Sequence, residues 1–115
     1  TINLNRCIQY EKKNKLPQLS FLEEVVDLVH KVQLAYNENL RYLQSKGMLP
    51  LFDASYIVMN RQYLTIGVNG MVEAAEFLGI PISDNEEYNH FVESVLSLIE
   101  TYNKKYRHDG ILFNC

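Results

Sequence analysis

Along two stretches of the chain, apolar residues recur at spacings of three and four. Leu22, Val25, Val26, Val29, Val32, Tyr36, Leu40 and Leu43 form one stripe; Phe91, Val92, Val95, Leu98, Ile99, Tyr102 and Tyr106 form the other. That is the period of a helix with one buried face, and it predicts two long amphipathic helices, over about 20–46 and 85–108. Ser20 with Glu23, and Asp84 with Glu87, have capping-box spacing at the two helix starts. Gly47 and Gly110 stand where the helices stop, while Lys104, Lys105 and Arg107 place cations at the negative end of the second. At 1.5 Å per residue the first helix would run about 40 Å, and its stripe needs a large surface to lie against.

The pattern changes between these helices. Residues 63–68 read as a buried strand, followed by a turn at Asn69-Gly70 and directly by a short helix over 71–78, with Gly79 and Pro81 beyond it. Gly67 and Gly70 remove side chains where strand meets helix, so the backbone can turn sharply or approach another segment closely. A glycine turn before a helix can also hold an anion, but this one is too short for a dinucleotide fingerprint and is read as a packing device.

Residues 1–4 form a short extended segment, with Ile2 and Leu4 on one face and Asn3 on the other. Residues 6–15 are expected to form a helix that carries Cys7 and Ile8 inward, has a solvated second half from Glu11 to Lys15, and is closed by Pro17. Residues 48–60 read as an irregular, mostly buried connection with a helical turn near Ala54, and a further strand begins over 111–113. Long crossovers keep these strands parallel. The fold class is therefore helix-rich α/β in a β-α-β-α-β order.

At 115 residues the chain fits one domain, and both ends look like strands belonging to a larger sheet, so it reads as one fragment, 1–115, of a longer polypeptide. A net charge of -3 offers no basic face for nucleic acid or an anionic membrane. No apolar run approaches the ~20 residues of a membrane span. Cys7 and Cys115 lack CxxC spacing and suit a reduced, cytoplasmic setting.

Candidate chemistry is sparse. His30, His90 and His108 have no ligand-like spacing and read as surface or boundary residues, which leaves no metal site. The acidic pairs fall mostly in first helical turns, where the macrodipole favours them. Neither a nucleophile elbow nor a P-loop occurs. Of the eight tyrosines, mostly core residues with hydroxyls at the edge, Tyr63 beside the central strand alone is singled out.

The stretch Leu64-Thr-Ile-Gly-Val-Asn-Gly-Met-Val-Glu-Ala-Ala-Glu-Phe-Leu-Gly-Ile-Pro81 resembles a segment shared by ribonucleotide reductases, in which a strand ending Gly-(Val/Ile)-x-Gly runs into a helix ending Leu-Gly-Ile-Pro. Thr1-Ile-Asn-Leu-Asn-Arg6, and Tyr106 through Gly110-Ile-Leu-Phe-Asn114, resemble flanking pieces of the anaerobic, glycyl-radical class. Asn5, where that class usually has proline, and Cys115, where an acidic or small residue is typical, are departures.

The resemblance implies a ten-stranded α/β barrel of which this fragment supplies about three strands. It implies reduction of ribonucleoside triphosphates to deoxyribonucleotides by radical chemistry, with the glycyl radical, a structural zinc and formate as reductant all belonging to the parent and no cofactor in this fragment. The thiyl cysteine would lie upstream of Thr1, and the glycyl-radical motif and four-cysteine zinc site downstream of Cys115, so the fragment alone would be inactive. Implied partners are the nucleotide substrates and effectors, an iron–sulfur activase using S-adenosylmethionine, and a second subunit in a homodimer. One residue here is implicated. Asn3 matches the position where aerobic reductases carry a redox-active cysteine, and its amide could hydrogen-bond substrate or formate. The alternative for Asn3 is a cap at the strand end. The rival readings of the whole chain are a non-catalytic helical interaction module and a segment of another glycyl-radical enzyme.

Overall fold

The computed structural model describes residues 1–115. It contains four short strands, β1 (Ile2–Asn3), β2 (Tyr63–Thr65), β3 (Val68–Asn69) and β4 (Leu112–Asn114). β2 pairs in parallel with β4, and β3 pairs in parallel with β1. The segment 63–69 therefore runs between two parallel neighbours. The partner changes at Ile66 and Gly67: the Ile66 N–H donates to the Asn114 carbonyl at 2.8 Å, and the Gly67 carbonyl accepts from the Ile2 N–H at 2.7 Å. This change of partner splits the single strand expected over 63–68. Nor is the strand buried on both faces, because Leu64 and Ile66 are buried while Tyr63 and Thr65 are exposed.

Five helices join the strands: α1 (Leu4–Lys13), α2 (Ser20–Ser45), α3 (Pro50–Asp53), α4 (Met71–Phe77) and α5 (Glu86–Tyr106). Ile2, Leu64, Ile66 and Phe113 from the strands share one core with Leu4, Ile8, Leu22, Val26, Ala74, Ala75, Phe91, Val95 and Ile99 from the helices. Each large aliphatic residue in this core contributes about 1.5–3 kcal/mol of burial. The two long helices start and stop close to where their apolar period does.

Several local expectations are corrected. Leu4 opens α1 instead of extending β1, because Asn3 caps that helix, its Oδ1 accepting the Arg6 N–H at 3.0 Å. Glu11 is not solvated. It is 3% exposed, and its carboxylate accepts the N–H groups of Leu19 (2.9 Å), Phe21 (3.0 Å) and Leu22 (3.0 Å). Those are orphan donors at the start of α2, so Glu11 of the preceding helix does the work expected of a Ser20–Glu23 capping box. Ser20 instead donates to the Pro17 carbonyl, and Glu23 accepts from the Tyr102 hydroxyl. At α5 the cap is Asn85, whose Oδ1 accepts from the Tyr88 N–H, while Asp84 accepts from the Asn89 amide. The same helix ends at Tyr106, ahead of Gly110, as Arg107 turns extended.

The apolar stripe of α2 also departs from expectation. Val32 and Tyr36 are 59% and 52% exposed, while His30 and Asn37 are buried in their stead. His30 is fully enclosed. Its Nδ1 donates to the Val26 carbonyl at 2.7 Å, Nε2 lies 2.7 Å from Asn103 Oδ1, and the ring packs on Tyr106 and Phe113. Each nitrogen has a polar group within hydrogen-bond reach, Nε2 accepting once the Asn103 amide turns its NH2 toward the ring, and so the imidazole is buried, contrary to the boundary position expected of it. The 48–60 connection is largely exposed, with Tyr56 at 82% and only Met59 buried. Pro50 opens α3, which stands slightly earlier than the turn expected near Ala54.

Polar contacts at the α2–α5 seam centre on Asp27. Lys31 lies 2.6 Å from its Oδ2, the Tyr106 hydroxyl donates to Oδ1 at 2.5 Å, and Lys105 stands 3.4 Å away. The Lys31 and Tyr106 hydrogen bonds hold the Asp27 carboxyl well below the usual carboxylate range, and Asp27 in turn raises the Tyr106 hydroxyl.

Two consequences are measurable. Glu11→Ala leaves three amide donors unmet and should lower stability by about 3 kcal/mol, with Glu11→Gln costing less because one oxygen acceptor survives. Urea denaturation checks this, and equal stability for all three proteins would contradict it. For Asp27 the folded carboxyl titrates below the unfolded one. Its stabilisation is thus complete above the ordinary value near ~4 and fades as pH falls below it. Thermal midpoints at pH 7 and pH 3 should show Asp27→Asn less stable than wild type at pH 7, with the gap narrowed but still open at pH 3, because the folded carboxyl is ionised even there.

Candidate functional site

All of the core-forming helix residues pack against one side of the strands, and alternation places the other side chains on an open face. In β1 and β3 the register pairs Ile2 with Val68 and Asn3 with Asn69; in β2 and β4 it pairs Tyr63 with Leu112, Leu64 with Phe113 and Thr65 with Asn114. Register partners in parallel strands share a face. The core takes Ile2, Leu64 and Phe113, and the open face carries Asn3, Asn69, Thr65 and Asn114, all exposed. Tyr63 belongs to the same face and is 54% exposed.

Asn3, Asn69 and Asn114 each occupy the last position of their strand. Proteins built on parallel strands bind ligands at these carboxyl ends, where side chains leave the sheet and loops begin. Asn3 has a local reason to stand there, as the N-cap of α1, and Asn69 leads into the Gly70 turn; what local preference does not require is that all three lie on one open face.

Backbone geometry fixes the Asn3 side of the face. Gly70 adopts φ +76, and a Cβ there would meet Asn5 Cβ at 3.1 Å, Asn5 N at 3.2 Å and Asn3 Oδ1 at 3.6 Å. The turn after β3 therefore packs directly on the β1–α1 junction, which only glycine allows. A Cβ on Gly67 would likewise stand 3.0 Å from the Thr1 hydroxyl. Both glycines serve the close approach expected of them. From α2, Gln33 donates its amide N–H to the Thr65 carbonyl at 3.1 Å and ties that helix to the central segment.

Asn3 was the one site residue singled out from sequence, and it stands on this face. Its Oδ1 is engaged by the Arg6 N–H, which fixes the side chain and leaves the whole NH2 group free for a ligand. Asn69 and Asn114 were missed. The signal that could have found them is the strand alternation itself, which puts an asparagine on the polar side at the end of each strand.

The titratable residues do not converge here. Burial, and secondarily the Glu11 charge, raises the Cys7 thiol above its ordinary value. It stays protonated at neutral pH and packs as a small apolar group, as expected. The Cys115 thiol is raised by partial burial. His90 and His108 are exposed, on α5 and the turn after it. His90 lines a hollow of about 360 Å³ with Glu87, Phe91 and Ser94, on the helical side of the molecule and away from the asparagines. No three His, Cys, Asp or Glu side chains gather closely enough to hold a metal ion.

Comparison with known proteins bears on the family of the chain. No curated protein sequence is detectably similar to the chain. The family model described as anaerobic ribonucleoside-triphosphate reductase matches residues 1–115. A solved anaerobic ribonucleotide reductase superposes with a TM-score of 0.87 at 33% identity over 98% of this chain and 19% of its own. The anaerobic ribonucleotide reductase from Thermotoga maritima with dATP bound in the specificity site gives the same TM-score and identity, over 98% of this chain and 20% of that one. Its complex with dATP and CTP matches equally well over the same shares. The chain thus spans about a fifth of the length of these structures. A full-length family match together with 33% identity at near-complete coverage means that the chain belongs to the anaerobic ribonucleoside-triphosphate reductase family.

Proposed function

We propose that these 115 residues are one segment of the catalytic barrel of a reductase that converts ribonucleoside triphosphates to deoxyribonucleotides by glycyl-radical chemistry. The observation that carries the reading is the family match over the whole chain, joined to an Asn3 amide exposed at the carboxyl end of a parallel strand. In this reading the strands are consecutive members of a ten-stranded barrel. The helices face outward, and the asparagine face looks into the lumen where the nucleotide binds.

Asn3 has two roles. Its Oδ1 stays on the Arg6 N–H, fixing the side chain, while its NH2 donates to an oxygen of substrate or formate. An amide at this position orients its ligand without offering a thiol that a radical could oxidise. The radical-bearing groups belong to the rest of the parent. A zinc ion does not fit the donor set here, since no three ligand-type side chains gather, so no step in this segment runs through it. The proposal also carries a homodimeric parent, an iron–sulfur activase and nucleotide effectors, by analogy with the family. It places the enzyme in the cytoplasm; no helix is long and apolar enough to cross a membrane.

Two substitutions in the full-length parent separate the roles of Asn3. Asn3→Asp keeps a capping oxygen and removes the NH2, so it should preserve the thermal midpoint while lowering anaerobic turnover about 10- to 100-fold, the worth of one buried polar contact. Asn3→Ala should lose both. Full activity in Asn3→Asp would reduce Asn3 to a helix cap and remove it from the site.

A further inference from the structure

Asn69 ends its strand with a side chain that has no partner in the chain. It is exposed at the end of β3, where the chain turns at Gly70. Neither end of its side-chain amide makes a hydrogen bond within the chain, whereas Asn3, its register partner, has its carbonyl oxygen engaged by the Arg6 N–H. Neighbouring parallel strands lie about 4.8 Å apart, so the two amides stand side by side on one face. A Cβ on Gly70, next in sequence to Asn69, would stand 3.1–3.6 Å from atoms of Asn5 and Asn3, so the two turns are in close contact.

The pair is chemically asymmetric. Asn3 offers its N–H donors and one remaining lone pair on an oxygen already held by Arg6, while Asn69 offers both donors and a free carbonyl acceptor. Two adjacent oxygens complement that set: one accepts from Asn3, and the other, a hydroxyl, donates to the Asn69 carbonyl. A carboxylate can accept from both amides but has no proton for the Asn69 oxygen, which favours a vicinal diol. We infer that Asn69 is a second substrate-positioning residue, acting beside Asn3 to hold the ribose 2′,3′-diol of the nucleotide, with Asn69 on the 2′-hydroxyl. The inference rests on the lumen-facing reading proposed above.

The test uses the full-length reductase, assayed anaerobically with the effector saturating. Asn69→Ala removes an exposed side chain with no internal partner, so its thermal midpoint should match wild type. Its KM for the ribonucleoside triphosphate should rise about tenfold, the scale of one lost hydroxyl contact, with a smaller change in kcat. Competition by the corresponding 2′-deoxynucleotide is the sharper readout. The wild-type preference for the ribonucleotide should shrink in Asn69→Ala, because the lost contact is one that the deoxy form never made. Asn69→Ser, which keeps a small donor and acceptor, should recover part of both effects and covers the case in which the alanine variant folds poorly. An unchanged nucleotide KM, or an equal loss of affinity for ribo- and deoxynucleotides, overturns the inference; so does a rise confined to the KM for formate, which would assign the amides to the reductant. If Asn3→Asp impairs turnover and Asn69→Ala does not, only this inference fails. If neither does, the lumen-facing reading fails with it.

Discussion

Two backbone hydrogen bonds set the rest of the structure in place: Ile66 N–H to the Asn114 carbonyl, and Ile2 N–H to the Gly67 carbonyl. Through them a seven-residue segment is held between two parallel neighbours, although no ladder in the chain is longer than three residues. Buried peptide groups must be paired, and here the central segment meets that demand by turning first to β4 and then to β1. Parallel strands cannot be joined by tight turns, so each pairing calls for a long crossover. The helices between the strands provide those crossovers and, with their apolar stripes, the core that makes such short ladders tenable.

Because these helices gather on one side, the strands become two-faced. Ile2, Leu64, Ile66 and Phe113 are spent in the core, and the alternate positions carry asparagine, threonine and tyrosine into the open. Gly70 completes the arrangement, since its missing side chain lets the turn after β3 sit on the start of α1. Fold and candidate site thus share one cause. The register that buries the apolar residues also aligns Asn3 with Asn69 and Thr65 with Asn114. Elsewhere, Leu28, Val32 and Tyr36 lie exposed along α2, over a molecule 52 Å in its longest dimension. The proposed larger barrel accounts for such a helix, which finds too little surface within 115 residues to cover its full length.

Features governed by neighbours in sequence were legible from the residues. The 3.6-residue period located α2 and α5, and the Gly70 turn marked the passage from strand to helix. Features that depend on distant partners were not. Glu11 sits in a run of charged residues that reads as solvated, and only the packing of α1 on α2 turns it into a cap for amides eight to eleven positions away. His30 is buried because Asn103, seventy-three positions on, faces its ring. The break at Ile66 and Gly67 follows from having two strand partners, which no local pattern encodes. Asn3 was found only through resemblance to a family. Asn69 and Asn114 became visible once register put them on the same face.

The central claim is that the open strand face is the substrate-facing wall of a reductase barrel. A structure of the full-length protein with a ribonucleoside triphosphate bound tests it most directly. The account predicts the ribose within hydrogen-bonding distance of the Asn3 amide, with the Asn69 side chain turned toward the same sugar. A nucleotide bound elsewhere, with this face sealed by apolar side chains from the rest of the chain, would contradict it.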